Sequence, residues 1–240
     1  MDYLWLFVLL ALLAEILGTV GGFGSSLFFV PIAGYFLDFQ SVLGITAIFH
    51  VFSNLTKITF FRKGVDKQLL FYIGIPAVIF VILGAAASKY FNSDILEGIL
   101  AIFLILLSLF FLIFRSFEVK PTRINSIGGG ALSGLMAGLL GTGGAIRGMI
   151  LAAYNLKIEV FIATSAIIDL AIDFSRSVVY TLNGYVHSHD LYLVPILLIV
   201  SIAGTYLGKL ILARISDKQF KTIVLVLVLI TGIVTLFKAF

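Results

Sequence analysis

The chain has 240 residues, 61% of them hydrophobic and 12% charged, with a formal net charge of +4. Soluble domains are about half apolar and about a quarter charged, and a soluble protein this small cannot hide so much apolar surface. The composition excludes an ordinary cytosolic enzyme and a disordered chain, the absence of Cys excludes disulfides and thiol catalysis, and the mean hydropathy of +1.18 points to the bilayer as solvent.

In chain order the hydrophobic segments are 3–37, 41–61, 69–91 and 95–114, then 126–156, 158–186, 191–215 and 220–240. Residues 69–88, 98–114, 191–208 and 222–237 carry no charge, and a spanning helix needs about 20 mostly apolar residues. The amino end, Met1-Asp2-Tyr3, has no basic region and reads as part of the chain rather than as a cleaved signal. The positive charges sit mainly in short loops, as membrane topology predicts, and need no nucleic acid to explain them. The reading is an all-α, multi-pass protein of the cell's plasma (inner) membrane.

The polar stretch 115–124 is the only good boundary. It divides the chain into two repeats, 1–114 and 125–240. Each opens on an apolar segment broken by glycines, Gly21-Gly22-Phe23-Gly24-Ser25-Ser26 in one and Gly141-Thr142-Gly143-Gly144 in the other. Thr46 and Thr164, Gly84 and Gly204, Lys89 and Lys209, and the Ser93-Asp94 and Ser216-Asp217 turns then recur at offsets between about 118 and 123 residues. Repeats of this kind are the usual plan of secondary transporters.

Eight segments crossing as eight spans would give two parallel halves. Bending the first segment of each half at its glycines, with 27–37 and 148–156 as short half-helices, gives five elements per half and inverted halves. The second count places the basic loops 62–68, 115–124 and 214–222 on one side, and the loops 92–94 and 187–190, without Lys or Arg, on the other. It fits the loop charges better, with the basic side cytoplasmic.

Broken backbone and buried charge are tolerated in a membrane only against protein or a cavity. The glycine breaks expose backbone N–H groups at the start of a half-helix, which favours an anion. Gly22, Gly24, Ser25 and Ser26, with Gly141, Thr142, Gly143 and Gly144, are therefore candidate substrate-binding residues. Gly128, Gly129, Gly130, Gly134 and Gly138 read instead as helix-packing glycines. Arg147 follows the second break, and its fork suits a carboxylate, sulfonate or sulfite oxygen pair; Phe28 or a neighbour stands at its place in the first half.

A polar stripe also repeats. His50, Asn54 and Lys57 fall at i, i+4 and i+7, and Asp169, Asp173 and Arg176 repeat the spacing 119 residues later. These spacings put each set on one helix face. Both stripes read as lining a path or coupling an ion. Asp173 and Arg176 are placed to pair locally, and two acids one turn apart invite one shared proton. Salt-bridge networks tying helices together are the structural alternative. Glu15 lines the path or lies near an interface. His187, His189 and Asp190 look like a small metal cluster but read as a solvated turn. No metal, cofactor or catalytic residue is expected. Tyr3, Trp5 and Tyr192 read as interfacial anchors.

The two glycine motifs, the first leading to Val30-Pro31 and the second running on to Ala163-Thr164-Ser165, resemble the TauE/SafE family of sulfite and organosulfur anion exporters. Arg147 replaces the apolar residue more usual there. The resemblance covers essentially the whole chain and implies a permease for small, often sulfur-containing anions that hydrolyses no ATP; no Walker-type motif is present. The expected function is a secondary transporter working by alternating access, with a small anion, lipid, and a possible coupling proton or cation as partners. A passive anion channel is the alternative. An intramembrane hydrolase would require Ser25 or Ser26 within hydrogen-bond reach of His50, and a non-transporting scaffold would not need paired buried charges.

Overall fold

In a computed structural model the described residues are 3–22, 24–62, 64–114, 119–212, 229–230, 233 and 235–237. The turn at Ser216-Asp217, the loop 214–222, most of the segment 220–240 and the linker residues 115–118 lie outside them. Every regular element described is helical. The first half holds α1 (Leu4–Gly21), α2 (Ser26–Ala33), α3 (Phe39–Phe60), α4 (Lys67–Leu69), a π turn (Leu70–Gly74), α5 (Ile75–Ser88) and α6 (Ser93–Ile113). The second holds α7 (Arg123–Leu140), α8 (Gly144–Ala152), α9 (Ile158–Leu182), a short 3₁₀ turn (Ser188–Asp190) and α10 (Leu193–Leu212).

Among the described residues, five helices are long and apolar enough to cross a membrane: Leu4–Gly21, Phe39–Phe60, Lys67–Ser88, Ser93–Ile113 and Leu193–Leu212. The third of these joins α4, the π turn and α5. Pro76 has no N–H for the carbonyl four residues back, and the ladder widens there. The longest helix, α9, carries Glu159, Asp169, Asp173 and Arg176 within its 25 residues.

Two glycines bend the chain where the sequence places the breaks. Gly22 and Gly141 each close an 18-residue helix with left-handed backbone, φ 68° and 77°. L side chains avoid that region, and glycine does not. The short helices that follow, α2 and α8, span about 12 and 14 Å at 1.5 Å per residue. Neither can cross about 30 Å of hydrocarbon. The second begins at Gly144, four residues earlier than the expected 148. Left-handed Gly141 and the two residues after it complete the reversal, so Arg147 lies inside the short helix rather than before it.

The helices pack in matched pairs. α3 and α9 cross at the centre; α1 lies on α10, and α7 on α5; α10 also packs on α3, and α5 on α9. The short helices touch each other, with α2 held by α1 and α3, and α8 by α7 and α9. Exposed Tyr3, Trp5 and Tyr192 lie at helix ends, as interfacial anchors do.

Small residues set the α5–α7 distance. A β-carbon at Gly130, Gly134 or Gly138 would collide with the carbonyl oxygen of Ile73, Ala77 or Val81. Gly129 faces the Ile150 side chain, whereas Gly128 has nothing within 4 Å and is not a packing glycine after all, because it points away from α5. Gly134→Ala should therefore cost about 1–3 kcal/mol in thermal unfolding. Gly128→Ala should be neutral or stabilising by up to about 1 kcal/mol, since alanine is the better helix former.

Candidate functional site

The polar stripes meet at the α3–α9 crossing. His50, Asn54, Lys57, Asp173 and Arg176 are buried, and Asp169 is partly buried. Asn54 Nδ2 donates to Asp173 Oδ2 at 2.7 Å, joining two residues 119 apart in the chain. The glycine breaks meet beside them, where Ser26 Oγ donates to Thr142 Oγ1 at 3.2 Å. The amino ends of α2 and α8 thus converge, each bringing N–H groups without intrahelical acceptors.

Three ion pairs surround this point. Glu15, fully buried, takes Lys57 Nζ at 2.9 Å. Its Oε1 also accepts from Ser53, Thr205 and Thr19, and its Oε2 from Ser25 at 2.6 Å. Arg147, 2% exposed, pairs through NH2 with Asp169 at 2.5 Å, and its Nε donates to Ser165. Arg176 pairs with Asp173 at 2.7 Å, one turn away, and its NH1 donates to Gly141 O at 2.7 Å and Ala137 O at 3.2 Å. That guanidinium sits at the carboxyl end of α7, where a cation is favoured. Tyr180 supports the same end, donating to Gly138 O at 2.7 Å.

Two cavities of about 20 Å3 each lie in this network. The first is lined by every candidate residue from the sequence except Gly22 and Thr142; Gly22 lines the second, and Thr142 is held by Ser26. Gly24, Asn54, Lys57 and Asp169 border both. Each cavity has room for about one water. An oxyanion of several heavy atoms needs the surrounding helices to part. Asp169 is the most exposed of the three acids, its side chain 16% accessible against 5% for Asp173 and 0% for Glu15.

Ser25 Oγ lies 3.0 Å from His50 Nε2, the contact a hydrolase would require. Its hydrogen is directed to the closer Glu15 carboxylate, however. His50 therefore meets Ser25 as a donor, not as the base that activates it. Asp173, which would orient the imidazole in a triad, is bonded to Arg176 and Asn54 and stands 4.0 Å from His50 Nδ1.

Sequence reasoning undervalued Glu15. Its signal was a carboxylate in an apolar run with Thr19 one turn on, but its other partners lie between 10 and 190 residues away. Ser53, Ser165 and Thr205 gave no signal of their own. The turn at His187, read from the sequence as solvated, is only partly so. Asp190 is buried because Ser41 Oγ, at the start of α3, donates to its Oδ2 at 2.7 Å and lies 2.8 Å from His187 Nδ1. Asp38 caps the same end of α3. Partial burial pushes its carboxyl up, but the Ser41 hydrogen bonds and nearby His187 outweigh this and hold it below its ordinary value.

The chain is 26% identical, over 97% of its length and 94% of the relative's, to the Methanocaldococcus jannaschii protein named "Probable membrane transporter protein MJ0441". No solved structure matches it. Residues 7–235 match the profile described as Sulfite exporter TauE/SafE. With its several membrane-spanning helices, this multi-pass integral membrane protein belongs to the TauE/SafE family of membrane transporters.

Proposed function

We propose that the chain is a secondary transporter for a small anion, with sulfite or a sulfonate as the substrate class. The observation that carries the reading is Arg147. Its guanidinium is buried at the amino end of a half-helix, borders the central cavity, and is paired with the most accessible of the buried acids. An entering anion takes the place of Asp169 on Arg147 and gains the N–H groups of the two convergent helix ends.

Replacing buried ion pairs with apolar side chains is often neutral or stabilising. Three such pairs around one cavity are therefore poorly explained by stability alone. The matched packing of α1 on α10 with α7 on α5 supports two related halves, 1–114 and 125–240, joined by the linker 115–124. The contact between Asn54 and Asp173 supports a pseudo-twofold axis at the α3–α9 crossing, because equivalent residues touch only near such an axis. Rocking of the halves about that crossing gives alternating access. Cavities this small favour a carrier over an open channel.

The test is counterflow in proteoliposomes, with sulfite, thiosulfate, sulfoacetate, sulfate and acetate as probes. A carrier should take up labelled sulfur anion faster when the lumen holds the same anion unlabelled. Flux without that acceleration would indicate a channel. No flux with any probe would end the anion reading.

A further inference from the structure

The buried cluster is electrically closed. Glu15, Asp169 and Asp173 face Lys57, Arg147 and Arg176 one to one. His50 stands in the middle with no acid of its own. Its bonding assigns its state. Ser25 has one hydrogen and gives it to Glu15 at 2.6 Å, so His50 Nε2 must donate to Ser25 at 3.0 Å. Nδ1 is then the bare acceptor, and Arg176 NH2 points at it from 3.5 Å. The imidazole is the neutral Nε2–H tautomer, and the cluster carries no net charge.

A monovalent anion added to this cluster leaves one uncompensated negative charge in a low-dielectric interior, which is expensive. Glu15 and Asp173 keep their own cations when the anion takes Arg147, and Asp169, the one carboxylate it frees, is the competing proton site that the His50 variant below tests. We propose that His50 is the proton site of the carrier, and that one proton rides on its Nδ1 with each monovalent anion. This rests on the anion-carrier reading and deepens it.

The groups facing His50 fit the exchange. From α9, Asp173 Oδ2 lies 4.0 Å from Nδ1 and would accept the new N–H, while Arg176 would be repelled by it. Glu15 of α1 faces the other nitrogen through Ser25, at the start of α2. Lys57 of α3 and Arg147 of α8 are the other cations that border the same cavity, and an anion bound there would neutralise one of them. Protonation therefore draws Asp173 away from Arg176, and an anion stabilises the protonated ring. The proton comes from water on one side and leaves to water on the other, with no bond formed to the anion.

Methanesulfonate is the probe, because it stays a monoanion at every working pH and cannot carry a proton itself. Proteoliposomes would hold a pH-sensitive dye, with membrane potential clamped to zero by potassium and valinomycin. An inward methanesulfonate gradient should acidify the lumen by one proton per anion. His50→Gln keeps a donor for Ser25 but takes no proton. The ratio of protons to anions entering should fall from one in the unaltered protein to zero in the variant, whatever rate of methanesulfonate entry the variant retains.

Methanesulfonate flux without acidification in the unaltered protein would overturn the His50 proposal and leave the anion reading standing. Acidification that survives in His50→Gln would overturn it too. Absence of counterflow with methanesulfonate, sulfite and thiosulfate would overturn both. Should His50→Gln fail to fold, methanesulfonate affinity of the unaltered protein decides. Linkage to one proton predicts weakening of up to about tenfold per unit rise in pH, and an affinity independent of pH would refute the proposal.

Discussion

Lys57→Met should lower the stability of the folded protein by about 3–5 kcal/mol, the usual loss when one partner of a buried ion pair is removed. Glu15 has no exposure to water, and its one cationic partner among the described residues is Lys57 at 2.9 Å. Its hydroxyl partners, Ser25, Ser53, Thr19 and Thr205, soften the charge without cancelling it. The carboxylate cannot move away, because α10 closes on it: a β-carbon at Gly204 would meet Glu15 Cγ at 2.7 Å. Adding Glu15→Gln to Lys57→Met removes both charges and should recover most of the loss. Thermal unfolding of the single and double variants measures this. A single variant within about 1 kcal/mol of the parent would mean that the pair is not a structural centre.

What the sequence made legible follows the range of each interaction. The stripes could be read because residues three and four apart share a helix face. The Asp173–Arg176 pair was legible for the same reason. The breaks were legible because Gly22 and Gly141 are the residues that accept φ 68° and 77° at a helix end. Glu15 was not, since its weight comes from partners on α2, α3 and α10 that only the folded chain assembles. Nor was the matching of Arg147 to Asp169 rather than Asp173, which depends on where α8 docks against α9. Asp190 looked solvated because nothing local revealed that Ser41, 149 residues earlier, closes over it.

These long-range contacts join the two parts of the chain. Asn54 to Asp173, Ser26 to Thr142, Thr205 to Glu15 and His50 to Arg176 all cross from one half to the other. None of these four is an apolar contact that could slide. A polar cluster has discrete bonding arrangements, so it suits a two-state rearrangement in which one set of partners replaces another.

Arg147 carries the second large effect, and a double variant separates its two roles. Arg147→Ala leaves Asp169 buried beside the cavity without its guanidinium and should cost about 3 kcal/mol or more. Asp169→Asn added to Arg147→Ala should restore most of that stability, because no unpaired charge remains. If Arg147 were only a strut, the double variant would also respond to anions as the parent does. If it holds substrate, the response is lost for good. An anion that binds only the folded parent at a hundred times its Kd raises stability by about 2.7 kcal/mol. Thermal unfolding with sulfite, thiosulfate, sulfoacetate, sulfate and acetate at matched ionic strength should show such a rise with a sulfur anion in the parent. Neither variant should show it. A double variant that regains both stability and anion response would assign Arg147 to the scaffold and move the anion site to Arg176 or Lys57.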